Sequence, residues 1–457
     1  MTTVASAAPA AVDLHEGLPE PRRTLAFLTV ALGIVMAVLD GTIVNVALPT
    51  IGLDQHATAA ESIWIVTGYQ LAVAIALLPM ASLGEAIGFK KVFSVGLVVF
   101  SAASLACAYS GSLPLLTISR VVQGLGGAAL MSISGALVCF VMPARFIGRG
   151  IAGIAVVVAV SGAAGPTIAA AILAVTTWHW LFLINVPLGI ICFAVGRVTL
   201  PETPASGKHL DFGSIALNAL AIGPLIGGLS SIGIRGAPWW LPAGLIVIGI
   251  VAGYLLIRRQ RHEKSPMLPV DLFRIRPFRL SIVASITSFI AQMLAAVSLP
   301  FFFAKMLGYN EVQTGLLMTP WPVATAIFAP IAARLSERLP GERISGFGSL
   351  LFAVGLVLMA FLPPHPATWD IIWRLFVCGV GFGLFQSPNN KVMITSAPRH
   401  RSGGASGMQS TARLLGQSTG AALAAIIFAL AAGYNLLLTM GIAAAFAIAA
   451  AILSIWR

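Results

Sequence analysis

Fourteen separate stretches of about twenty mostly apolar residues, each long enough to cross a bilayer as a helix, run from 25–48 to 434–456. In hydrocarbon every backbone N–H and C=O has to be paired within the protein, which leaves helices or closed barrels as spanning structures. These runs show no strand-like alternation, so helices are expected. A soluble core could not hide this much apolar surface: 58% of the 457 residues are hydrophobic and 9% are charged, against about 25% charged in soluble domains. The net charge of +12 would suggest nucleic acid in a soluble protein, but here the basic residues follow the loops. With the N-terminus inside, 22 of the 27 Lys and Arg fall in inner segments and two in outer loops. That asymmetry marks cytoplasmic loops. The expectation is an all-α polytopic membrane protein with 14 transmembrane helices, both termini cytoplasmic and no nucleic-acid partner.

A weak repeat subdivides the chain. At a fixed offset of 255, Gly124, Gly126, Pro143, Gly148 and Gly165 meet Gly379, Gly381, Pro398, Gly403 and Gly420, and Arg120 matches Arg374 within one residue. Residues 1–24 read as a disordered cytoplasmic tail, rich in Ala and Pro, before a first span that serves as an uncleaved anchor. An N-terminal six-helix bundle (25–204), an inserted helix pair (205–260), a basic cytoplasmic linker (261–279) and a C-terminal six-helix bundle (280–457) follow. Paired halves around a midplane site are an architecture of secondary transporters.

The chemistry concentrates in a few intramembrane residues. Asp40 lies inside an apolar span, where a charge is expensive and seldom kept without a use. It sits about 12 Å from the outer end of its helix, and Arg120 about 10 Å from the outer end of span four, at 1.5 Å per residue, so the two depths agree. Removal from water favours the neutral acid and a neighbouring arginine favours the carboxylate; a change in either takes up or releases a proton. The bland alternative is a static ion pair that only fixes helix packing. Glu61, at an outer helix end, is a weaker second acid.

Ser406, Gln409, Ser410, Arg413 and Gln417 recur at spacings of three and four and make a polar stripe on one helix face. Gln386, Asn389 and Asn390 give another span a polar inner end, and interhelical hydrogen bonding is the competing role for such amides. Arg374, near Asp370, reads as a snorkelling side chain or a structural ion pair. The glycine-rich strings at 124–127 and 379–383 lie in apolar spans and read as close helix packing. No P-loop, HExxH, GxSxG or metal-ligand spacing is present, so neither an enzyme nor a cofactor is expected. Cys107, Cys139, Cys192 and Cys378 all fall in spans and read as packing residues.

Several strings resemble one family. Leu39–Pro49 is similar to LDxTIVNVALP. Trp64–Tyr69 is similar to that family's second-span opening, and Trp178–Gly189 to WRWxFxINxPxG, with His179 where Arg is usual. Arg120–Gly124 fits RxxQG, Gly165-Pro166 fits the start of GPxxGG with Ala169 and Ala170 at its end, and Arg413–Gly416 resembles RxLG. The loop Ala81–Lys91 is similar to GxLaDrxGrk, with Glu85 for the acid and with Ala86 and Phe89 at two usual arginines. On these motifs the chain resembles the fourteen-span drug/proton antiporter family of the major facilitator superfamily.

The resemblance implies a major facilitator fold, two six-helix bundles plus an inserted pair, and proton-coupled export of amphipathic or cationic compounds through the cytoplasmic (inner) membrane. It implies proton coupling at Asp40 and Arg120, and gating at Glu85, Gly88, Lys90, Lys91, Gly165 and Pro166. The polar residues Asn45, Tyr69, Gln123, Gln292, Gln386, Asn390, Gln409, Arg413 and Gln417 are the candidates to line a substrate cavity. The expected partners are a small-molecule substrate, protons and the lipid bilayer, with accessory efflux proteins optional and the chain itself monomeric. The proton gradient takes the place of a cofactor. Export of one native metabolite, and a membrane sensor or scaffold without turnover, remain alternatives.

Overall fold

The computed structural model describes residues 17–206, 210–232, 238, 240–261, 270–397, 402–430 and 435–457. Residues 1–16 of the expected tail, 262–269 of the expected linker, Pro398 of the repeat and the Ser406 side chain lie outside the described residues.

The spans form as their composition dictates. In chain order they are α1 (Arg22–Asp54), α2 (Ala59–Ser62) continued by α3 (Trp64–Ile87), α4 (Phe89–Ala108), α5 (Leu113–Val141) and α6 (Ile147–Val175). Then come α7 (Trp180–Leu183) continued by α8 (Asn185–Thr199), α9 (Phe212–Ser231), α10 (Trp240–Gln260) and α11 (Arg276–Met306). The last are α12 (Glu311–Met318) continued by α13 (Pro320–Leu335), α14 (Gly341–Ala360), α15 (Thr368–Ser396), α16 (Ser402–Leu430) and α17 (Leu436–Ile455). Among the described residues, thirteen helical segments are long and apolar enough to cross a membrane, and α6 becomes the fourteenth when its two parts, bent by 44° between Gly162 and Ala164, are taken as one span. Pro166 accounts for the bend, since it cannot donate to the carbonyl four residues earlier.

Residues 18–24 of the expected disordered tail hold fixed places in the fold. Leu18 is buried and its N–H donates to Val141 O at 3.1 Å, so residues 18–21 are tied to the end of α5.

The helices pack as two sets, with α1, α3, α4, α5, α6 and α8 in one and α11 to α17 in the other. The internal repeat is visible in the contacts of its glycines. A Cβ on Gly124 would lie 2.6 Å from Tyr69 O, and a Cβ on Gly379 would strike Trp321 O. Likewise Gly126 faces the backbone of Phe100 and Gly381 that of Phe352, while Gly165 faces Thr42 and Ile43 and Gly420 faces Met293 and Leu294. Equivalent glycines therefore set equivalent helix crossings in the two halves.

The two halves share one apolar core at the face away from the chain ends. It joins Ile43–Ile51 and Leu181 to Phe289–Phe303, Trp321 and Ala421. Towards the chain ends the cores separate, into one around Phe93, Leu130 and Val138 and another around Phe278, Met393 and Met408. The inserted pair docks through α9, which touches both α3 and α16. Asn218 Nδ2 donates to Ile75 O at 2.8 Å, and Ile222 and Ile226 join the core that includes Leu414.

Two predictions follow from this packing. A Cβ on Gly126 would lie 2.6 Å from Phe100 N, a backbone atom that cannot step aside, whereas a Cβ on Gly135 in the same helix meets nothing within 4 Å. Gly126→Ala is expected to cost about 1–3 kcal/mol from overpacking and Gly135→Ala to be neutral or mildly stabilising, read as unfolding midpoints in detergent. At the start of α9, partial burial acts to raise the Asp211 carboxyl, but hydrogen bonds from Arg259 and Ser214 outweigh it and hold the group at about 2. Its stabilisation of the α9–α10 hairpin is present above the ordinary value of 3.8 and is lost as pH falls through about 2. Hydrogen exchange at the start of α9 should rise over that window in the wild type and not in Asp211→Asn.

Candidate functional site

Asp40 and Arg120 meet. Both are fully buried, and Arg120 Nη1 donates to Asp40 Oδ2 in a close ion pair. Two amides complete the carboxylate's shell: Gln123 Nε2 donates to Asp40 Oδ1 at 2.9 Å and Asn185 Nδ2 donates to the same oxygen at 2.8 Å. Gln123 also donates to Ser104 Oγ at 2.7 Å and accepts from Arg120 Nη1 at 2.7 Å. The three-residue spacing of Arg120 and Gln123 puts both on one face of α5.

The arginine is held from its other sides as well. Arg120 Nε donates to Ile65 O at 3.1 Å. Its guanidinium carbon lies 4.2 Å from the centre of the Tyr69 ring and 5.6 Å from that of Phe182. Aromatic faces attract such a cation, which suits an Nη2 that has no hydrogen-bond partner. Tyr69 OH donates to Ala37 O at 2.7 Å. Glycines admit these groups: a Cβ on Gly127 would lie 2.8 Å from the Tyr69 hydroxyl, and one on Gly189, a turn beyond Asn185, would lie 3.0 Å from Ser101 Cβ. The arrangement can hold a carboxylate with three donors, and a proton added to Asp40 has to displace one of them or turn the acid away.

Two expected cavity residues prove to belong to this network. Gln123 and Tyr69 are buried and committed to Asp40, Arg120 and the α1 backbone. Asn45 is buried with Oδ1 unpartnered, and Gln292 keeps a buried unpartnered Oε1. Gln386, Asn390, Gln409, Arg413 and Gln417 are all half-buried. Asn389 instead bonds Ser285 Oγ at 2.7 Å and Ser281 O at 3.2 Å. Arg374 makes a two-pronged pair with Asp370, both contacts at 3.0 Å. Glu61 closes the capping box of α2 with Thr58. Trp178 is buried and donates to Asp54 Oδ2 at 3.2 Å.

Of the gating candidates, Lys90 pairs with Glu202 at 2.9 Å and its amide donates to Thr203 Oγ1 at 3.3 Å. Glu85 O accepts from Ser206 N at 2.9 Å, and Gly88, at φ 103°, packs on Thr203 O. This loop therefore grips the segment that leads into α9. Lys91 is exposed. Gly165 lies against Thr42 of α1, and the Pro166 carbonyl lies where a Cβ on Gly315 would be 2.7 Å away, so both residues sit at close helix crossings.

The model of the Major Facilitator Superfamily matches residues 30–214, 211–421 and 283–456. The chain belongs to that superfamily. It is 54% identical over 414 residues, covering 90% of each chain, to the uncharacterized transporter YebQ of Escherichia coli. It is 28% identical to the riboflavin transporter RibZ of Clostridioides difficile, over 91% of this chain and 90% of that one, and 29% identical to the multidrug efflux pump LfrA of Mycolicibacterium smegmatis, over 90% and 83%. A solved POT family transporter in complex with 5-aminolevulinic acid shares the fold, with a TM-score of 0.72, 14% identity, and 95% and 96% of the two chains covered.

Within this major facilitator fold the acid network occupies one half only. Carried along the helices from equivalent glycine contacts, the repeat sets Tyr69 against Trp321, Asp40 against Ala291, Gln123 against Cys378 and Ser104 against Leu356, so the second half keeps the crossings and replaces these four polar residues. Asn185 and Ser104 carried no role in the sequence reading. Asn185 lies within the INxPxG-like string, and an amide in an apolar span is itself a signal. Ser104 has no such signal, because a lone serine is common in spans.

Arg120→Leu leaves the Asp40 carboxylate with amide donors alone and is expected to lower stability by about 3–5 kcal/mol. Combining it with Asp40→Asn should recover part of that loss. Thermal unfolding of the four proteins measures the coupling, and strictly additive losses would mean the pair does not act as a unit.

Proposed function

We propose that this protein is a proton-coupled secondary transporter of the cytoplasmic membrane that exports small amphipathic compounds by alternating access, with both termini cytoplasmic and the chain working as a monomer. The observation that carries the reading is the buried network itself. Asp40 is the only fully buried acid among the described residues, and it is held by three donors on α5 and α8. A rocking motion of α1 against those helices breaks donors one at a time, and the acid then takes a proton from whichever side is open. Arg120 sets the balance between the two protonation states. Gly165 shapes the α1–α6 crossing that such a motion has to use, and the Pro166 carbonyl lies at the α6–α12 crossing.

Similarity to a multidrug pump supports drug efflux as the cargo class. Similarity at comparable identity to a riboflavin transporter supports a second reading, a dedicated metabolite transporter on the same machinery.

Reconstituted protein with a pH-sensitive dye inside the liposomes tests the coupling. A proton gradient is imposed, and a panel of amphipathic dyes, biocides and riboflavin is added to wild type and Asp40→Asn. Substrate-dependent proton flux that vanishes in Asp40→Asn is the expected result. Equal flux in both proteins would remove Asp40 from the mechanism, and flux with riboflavin alone would favour the dedicated transporter.

A further inference from the structure

The charges inside the spans do not cancel. Asp40 is paired with Arg120 and Asp370 with Arg374. Arg413 has no carboxylate within ion-pair distance and no hydrogen-bond partner among the described residues, and the electrostatic neighbour it has is Tyr69. It stands six residues into the apolar span Gly407–Leu430, roughly 9 Å from its inner end at 1.5 Å per residue. A lone guanidinium at this depth is costly unless something compensates it.

The face that carries Arg413 is not packed shut. Gly416 and Gly420, three and seven residues beyond Arg413, set one edge of this face onto the α11 backbone, and Leu414 packs its other edge with the α3 and α9 core. Between those contacts Gln409, Ser410, Arg413 and Gln417 are half-buried, just before Ala421, where the shared apolar core begins. The stripe holds a cation, two amides and a hydroxyl, and no acid. With Asp40 ionised this interior is net positive, and protonation of Asp40 makes it more so.

We propose that Arg413 is the specificity-determining residue of the transport site and that the cargo is a small organic anion, whose carboxylate or phosphoryl oxygens take the guanidinium fork. Such a fork matches planar oxyanions in a way that a lysine ammonium matches only as a point charge. The inference rests on the transporter reading and reverses the cationic cargo implied by the family motifs. A monoanion leaving in exchange for one entering proton moves two charges per cycle, so an inside-negative potential drives that export, whereas exchange of a monocation moves none.

The field at the stripe can be measured without knowing the cargo and without transport. Ser410→Cys, in a background with Cys139→Ser, places a thiol one turn from Arg413. Its reaction rates with an anionic methanethiosulfonate (sulfonatoethyl) and a cationic one (trimethylammonium-ethyl) are compared with the rates of the denatured protein, in phosphatidylcholine nanodiscs. The expected result is a rate ratio shifted about tenfold or more toward the anion, lost in Arg413→Gln and retained in Arg413→Lys. An unshifted ratio, a shift toward the cation, or no reaction with either reagent would each overturn the proposal. Repeating the measurement with phosphatidylglycerol present separates the sources of anion: an unchanged shift fits a soluble cargo, and a shift abolished by the lipid would assign Arg413 to a headgroup instead. Failure of Asp40-dependent proton flux leaves this reading of the field unaffected, so the two proposals fail separately.

Discussion

The buried Asp40–Arg120 pair is the constraint to which the N-terminal half is built. Two charges removed from water are tolerated only where geometry and further hydrogen bonds compensate their lost hydration. Here the compensation comes from four directions: Gln123 and Ser104, Asn185, the Ile65 carbonyl, and the rings of Tyr69 and Phe182. The contributors stand on α3, α4, α5, α7 and α8, so the pair can exist only when these helices and α1 are correctly assembled. A network of this kind is also one that a helix motion can dismantle in steps, and stepwise release is what proton coupling needs.

The two halves show how a duplicated scaffold can carry chemistry once. Glycines at equivalent positions produce the same close crossings, because a backbone contact of this kind depends on the absence of a side chain and not on polarity. The partners of the acid network are Ala291, Cys378, Leu356 and Trp321 in the other half, all of them buried or packed in the apolar core. Packing is thus conserved between halves while the polar cluster is confined to one. The second half contributes a different kind of group, the half-buried cation Arg413 on α16.

The inserted pair changes the surroundings of the loop between α3 and α4. Lys90, Gly88 and Glu85 hold the segment 202–206, and α9 continues from there to touch both halves. The loop residues are occupied within their own half and with the linker of the insert. Asn218 ties α9 to α3 through a single backbone carbonyl, whereas its contact with α16 runs through apolar side chains such as Leu414. Apolar contacts are non-directional and tolerate sliding better than a hydrogen bond does.

The helices, their approximate ends and the twofold repeat were legible in the sequence, because length, apolar content and glycine spacing are properties of short stretches. Asp40 and Arg120 could be named as partners from their depths, since a helix rise converts residue number directly into depth. The roles of the amides were not legible. Gln123 and Tyr69 looked like cavity residues and are locked into the acid network, Asn185 and Ser104 joined it unannounced, and Arg413 was left without a partner. Spacing along one helix says which residues share a face, but not which neighbour that face meets. The sequence by itself determined a helical membrane protein with one deep acid and one polar stripe; only the tertiary structure decided which polar groups cancel one another and which remain free, because that depends on how separate helices are rotated against each other.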